Sequence, residues 1–272
     1  MSEGRGGKVG EAIVVTSGKG GVGKSTTSAN IGTALAMSGK RVCLVDTDIG
    51  LRNLDVLMGL ENRIVFDLVD VVEKKCKIQQ ALIKDKRCEA LYLLPAAQTK
   101  DKAAVSSAQL RWLVNELKEQ FDYILIDCPA GIEKGFQTAV SGADKAIVVT
   151  TPENAAIRDA DRVIGLLEKE RTGLPKLIVN RLRTQMVKEG GMMDVDEVVN
   201  VLAVDLLGVV PDDEEVIRSG NQGEPIVLHN RGLAAKAYRN IARRIQGEVV
   251  PLLVLEKEKK LMSRMKRWLG FA

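Results

Sequence analysis

Residues 18–25 read Gly18-Lys19-Gly20-Gly21-Val22-Gly23-Lys24-Ser25. They stand directly after the apolar run 12–16 and directly before a stretch, 25–38, with apolar residues at spacings of three and four. The order demands a strand, a glycine-rich turn and a helix, and it matches G-x-x-x-x-G-K-[ST] in the context that makes the pattern meaningful. Glycines let the backbone wrap so that successive N–H groups point inward at phosphate oxygens. The positive end of the helix dipole adds to the same anion site. In such a loop Lys24 reaches the β- and γ-phosphates, and the Ser25 hydroxyl, followed by Thr26, faces Mg²⁺ and the phosphates.

The rest of the chain agrees with a strand that feeds such a turn. Apolar runs at 12–16, 41–46, 90–94, 122–127, 145–151, 176–180 and 206–210 alternate with helical stretches at 25–38, 106–120, 155–170 and 232–247. Aromatic residues make up only 3% of the sequence, so the core is built from Val, Ile, Leu and Ala. Continuous runs of these residues suit strands buried on both faces. The expected fold class is therefore α/β, a doubly wound and mostly parallel sheet with right-handed crossovers. One domain is expected over 1–250, and 251–272 reads as a connector followed by a terminal amphipathic helix.

Two strand ends carry carboxylates. Tyr123-Ile124-Leu125-Ile126-Asp127 is an apolar strand closed by Asp, the Walker B form, which sets Asp127 near Mg²⁺. Asp127-Cys128-Pro129-Ala130-Gly131 then reads as a switch loop able to sense the γ-phosphate. The run 41–46 ends on Asp46-Thr47-Asp48, and Asp48 is the candidate for orienting an attacking water and for a place beside the metal.

Charge is unevenly placed. The net charge is +4, and residues 256–272 alone carry six basic side chains against two acidic ones. The body is therefore neutral, so no specific nucleic-acid partner is expected. In the tail, Leu261, Met262, Met265, Trp268 and Leu269 share one helical face, with Lys260, Arg264, Lys266 and Arg267 beside or opposite it. A basic amphipathic helix with Trp reads as an anchor lying in the interface of anionic membrane lipids. No apolar run reaches the ~18–20 residues needed to span a bilayer, and residues 1–10 do not resemble a signal peptide. The expected location is cytoplasmic, peripheral on the cytoplasmic face of the cell membrane. Cys43, Cys76, Cys88 and Cys128 form no C-x-x-C pair and His229 is the single histidine, so a zinc site is not expected; Cys43 and Cys128 read as core residues.

Taken together, Ser17 to Ser25, Asp48-Ile49-Gly50-Leu51-Arg52-Asn53-Leu54-Asp55, Leu82-Ile83-Lys84-Asp85-Lys86-Arg87, Leu94-Pro95-Ala96, Asp127 to Glu133 and Asn221-Gln222-Gly223-Glu224-Pro225 resemble the MinD family of deviant Walker A ATPases. The resemblance spans nearly the whole chain. It implies ATP hydrolysis with ATP and Mg²⁺ as cofactors, and an ATP-dependent homodimer. It also implies a MinC-type division inhibitor and a MinE-type or other topological regulator as partners, in the service of placing the division septum. It assigns Lys19 to the nucleotide of the partner subunit, Asp48 to the first switch, Asp127 to the second, and Asn53 to the interface. Asn180, Arg181, Pro211 and Asp212 are assigned to the adenine, Glu153 to the partner's ribose, and Arg158 to Arg162 to the helix that meets regulators. Cys128 and a short 169–176 loop are small departures that leave partner specificity open. A flagellar-number-regulating relative, a DNA-binding partition ATPase, an electron-transfer iron protein and a nonhydrolysing nucleotide-dependent scaffold are the alternatives.

Overall fold

A computed structural model of the chain describes residues 9–253 except 102, 103, 171, 230 and 231. The expected amphipathic helix of the tail lies outside the described residues.

The strands are β1 (Glu11–Thr16), β2 (Val42–Asp46), β3 (Ile83–Lys84), β4 (Leu91–Leu94), β5 (Tyr123–Asp127), β6 (Lys145–Thr150), β7 (Lys176–Leu182) and β8 (Leu206–Pro211). They form one sheet in the order β3-β4-β2-β5-β1-β6-β7-β8. Every pairing is parallel except β3 with β4. The helices between them are α1 (Lys24–Met37), α2 (Leu54–Leu57), α3 (Leu68–Val72), α4 (Ile78–Ala81), α5 (Ser107–Lys118), α6 (Lys134–Ser141), α7 (Asn154–Leu167), α8 (Thr184–Lys188), α9 (Val195–Leu202), α10 (Glu214–Asn221) and α11 (Leu233–Ile245).

Strand periodicity divides the core in two. In β1, Ala12 and Val14 join the layer formed with α5, α6 and α7, through Leu110, Phe136 and Val163. Ile13 and Val15 join the layer formed with α1 and α11, through Ile31, Leu35 and Tyr238. Apolar side chains are therefore needed at successive positions of the central strands, which is why they read as unbroken runs. In α1, a Cβ on Gly32 would lie 2.4 Å from a Leu44 methyl, so the helix lies close on β2. The chain leaves β1 for β2 on one side of the sheet, and β6 sits on the other. The crevice beyond the carboxyl end of β1 is thus the topological switch point where open α/β sheets place ligands.

Candidate nucleotide site

The glycine-rich turn leaves β1 at that crevice. Gly21 and Gly23 take positive φ, +80° and +96°, which side chains tolerate poorly. Gly23 caps α1 with no side chain of its own, so no cap side chain competes with an anion for the first N–H groups of the helix. Val22 is 4% exposed and Lys24 8%, whereas Lys19, Gly20 and Gly21 are exposed. Ser17 Oγ donates to the Lys19 carbonyl at 2.8 Å and so closes the turn. Gly18 is required for a reason the sequence conceals. A Cβ there would lie 2.2 Å from the backbone carbonyl oxygen of Asp159 on α7. The helix read as partner-facing thus also supports the loop from behind.

The two strand-end carboxylates meet beneath the loop. Asp46 and Asp127 are opposite each other in the β2–β5 register, at 0% and 1% exposure. The Asp127 carboxylate accepts the Ser28 hydroxyl at 2.8 Å and the Ser25 hydroxyl. Its backbone carbonyl accepts both the N–H and the hydroxyl of Thr47, at 3.1 and 2.7 Å. Burial pushes the Asp127 carboxyl up to about 6, against the Ser25 hydroxyl, the Lys24 charge and the Ser28 hydroxyl. Burial and then the Asp127 charge push Asp46 up to about 7, against backbone N–H groups. The buried Asp127 carboxyl, the Ser25 hydroxyl bonded to it and half-buried Asp48, whose charge acts on Asp127, make a hard-oxygen donor set that Mg²⁺ fits.

Asp46 is the residue whose role the sequence reading missed. Its carboxylate accepts from the N–H of Asp48 at 2.9 Å and from those of Asn53 and Leu54 at 3.2 Å each. It therefore holds the whole segment from half-buried Asp48 to the start of α2. The signal was available, because Asp46 closes an apolar run just as Asp127 does.

Beside the loop lies a cavity of about 530 Å³ lined by Gly23, Thr26, Asn180, Arg181, Pro211 and Asp212, with Val56 and Leu57 from α2 and Val216 and Ile217 from α10 among its walls. The four residues expected around adenine are brought together. Asn180 Nδ2 donates to the Val22 carbonyl at 2.8 Å, so one of its amide hydrogens already fastens the loop and is not free for a base. Arg183 Nε lies 2.6 Å from Asp212 Oδ2 and fixes that carboxylate at the rim. Glu153 is not part of this group. It precedes α7 and lines a separate cavity of about 460 Å³ with Pro152, Val187 and Met192. Cys43 and Cys128 are buried, 0% and 1% exposed, and burial raises both thiols out of the reactive range.

Residues 8–246 match the family model described as ParA: NUBPL iron-transfer P-loop NTPase. The chain is 65% identical to the septum site-determining protein MinD of Bacillus subtilis (strain 168), over 96% of this chain and 99% of that one. It is 54% identical to the Synechocystis protein of the same name, over 94% and 97%. Among solved structures, the MinC:MinD cell division protein complex of Aquifex aeolicus aligns with a TM-score of 0.84 at 51% identity, covering 90% of this chain and 99% of that one. The Mg-ADP complex of MinD from Pyrococcus horikoshii OT3 aligns at 0.79 and 30% identity, covering 86% and 95%. The chain belongs to the MinD family of ParA-type P-loop NTPases.

Proposed function

We propose that this protein is an ATP-hydrolysing switch that dimerises on ATP, binds the membrane as a dimer, and recruits a MinC-type inhibitor to position the division septum. ATP and Mg²⁺ are its cofactors. The observation that carries the reading is the contrast between two lysines of one loop: Lys24 is buried beneath it, at 8% exposure, and Lys19 is exposed on its outer lip. A lysine on the lip serves a second copy better than its own phosphate.

On this reading Lys24 and the loop N–H groups hold the β- and γ-phosphates. Ser25, Asp127 and Asp48 would hold Mg²⁺, which would supply charge neutralisation at the phosphates. Asp48 orients the attacking water, and Asp46 keeps Asp48 in place through its backbone N–H. Lys19 of one subunit meets charge developing at the nucleotide of the other, as an arginine finger does. The names carried by relatives at 65% and 54% identity support septum placement. The Aquifex MinC:MinD complex supports a MinC-type partner. A MinE-type or other regulator then acts at the α7 face, where Arg158 and Arg162 are exposed. No helix among the described residues is long and apolar enough to cross a membrane. Attachment is assigned to the basic amphipathic helix expected within residues 251–272, peripherally and on the cytoplasmic face. The test is phosphate release together with light scattering in ATP and in ADP. Turnover with an ATP-specific dimer is expected; a monomer in ATP contradicts the reading.

A further inference from the structure

Two of the motifs that mark the family have so far no role: the one ending Asp85-Lys86-Arg87 and the one around Gly223. They meet. Asp85 follows β3 and is 2% exposed. Its Oδ1 accepts the Arg87 N–H at 2.7 Å and the Cys88 N–H at 3.3 Å, and its Oδ2 accepts Arg87 Nη2 at 2.7 Å. Burial alone would raise this carboxyl; the Arg87 side chain and these N–H groups outweigh it and hold it below the usual carboxylate range. The guanidinium so fixed reaches two distant carbonyls. Nη2 donates to Met58, at the end of α2, at 2.6 Å, and Nη1 donates to Gly223, just beyond α10, at 2.7 Å.

These two chain ends touch with no room to spare. A Cβ at Gly223 would lie 2.6 Å from the Gly59 Cα. Val56 and Leu57 of α2 and Val216 and Ile217 of α10 face the cavity next to the phosphate loop. The geometry points to Arg87 as a positioning residue for base recognition: anchored on Asp85, it ties the ends of α2 and α10 together and sets the spacing of two walls around the adenine. The inference rests on the reading of that cavity as the adenine site. The planar fork suits the task, because one guanidinium can bond the carboxylate and both carbonyls at once, whereas an ammonium cannot keep that geometry. The same α2 is held at its other end by Asp46, so the base cavity and the switch segment share one short helix.

The test compares two probes in the full-length protein: ATP, and inorganic tripolyphosphate, which engages the phosphate loop and has no base. Arg87→Ala and Arg87→Lys should weaken ATP about tenfold or more, a loss of about 1.4 kcal/mol. Tripolyphosphate should stay within about twofold by the same scale. Gly223→Ala, which leaves the arginine side chain in place but pushes apart the two helix ends it bridges, should show the same selective loss. It serves where Arg87→Ala fails to fold by circular dichroism. Arg63→Ala removes a neighbouring arginine bonded to the Lys84 carbonyl and should change neither probe. Unchanged ATP affinity, or equal losses for both probes, overturns the positioning role. Asp212→Ala, at the rim of the same cavity and bonded to Arg183, separates the two readings: if it leaves the preference for ATP over tripolyphosphate intact, the adenine assignment itself fails.

Discussion

Asp46 and Asp127 end adjacent strands opposite one another, and both are shielded from solvent directly beneath the phosphate loop. One carboxylate organises the backbone of the switch segment and the other takes the hydroxyls of α1, so the pair links the two strand ends to the loop.

That pairing sets a pH dependence in the Mg²⁺-free, nucleotide-free protein. Both carboxyls are raised, Asp46 to about 7 and Asp127 to about 6. An unfolded Asp titrates near ~3.9, so the folded state binds protons more tightly than the unfolded one. Their contribution therefore falls as pH rises from ~4 and is fully unfavourable above about 7. The urea midpoint should drop between pH 5.5 and pH 8 in wild type and drop less in Asp127→Asn. Identical pH profiles contradict the pairing.

Lys24→Ala should lose ATP binding, because it removes the buried charge that faces the β- and γ-phosphates. Affinity for a fluorescent ATP within a few-fold of wild type, in a folded variant, contradicts the role.

Lys19→Ala should separate binding from assembly. It is expected to bind ATP, dimerise poorly and hydrolyse little, since its side chain is exposed on the lip of the loop. Light scattering in ATP decides the matter. A fully active dimer rules out action across an interface.

Asp48→Ala should stop the cycle at the opposite point. ATP should bind and support dimerisation while hydrolysis falls by ~10²–10⁴, the range for a lost general base. The variant should remain on membranes, and normal turnover would remove Asp48 from the mechanism.

The central strands were legible because burial on both faces forces continuous apolar runs, and these pass the same signal to any reader of the sequence. The phosphate loop was legible because its chemistry is local. β3, two residues long, has no periodicity to find, and the four-residue α2 has little more. The steric demand at Gly18 comes from Asp159, a contact made only by the fold. Arg87 is the clearest case. Its carbonyl partners lie 29 and 136 positions away, so nothing near it in the sequence announces what it holds together. Asp46 was in plain view beside Asp48, and its part emerged only when its three N–H donors were placed.

Co-sedimentation with anionic liposomes in ATP, in ADP and in a nonhydrolysable ATP analogue tests the proposed switch most directly. One tail offers ~1 kcal/mol for each basic residue near anionic lipid, together with partial burial of its apolar face. Ordering the helix cancels much of that. Two tails joined in a dimer gain ~10²–10⁴ in avidity. Wild type should therefore bind strongly with ATP or the analogue and weakly with ADP. High salt should weaken binding as the surface charges are screened. Deletion of 261–272 should abolish binding, and Trp268→Glu should come close to the same result, with ATP-dependent dimerisation intact after the deletion. Equal binding in ATP and ADP, or liposome binding by the truncated protein, contradicts the account.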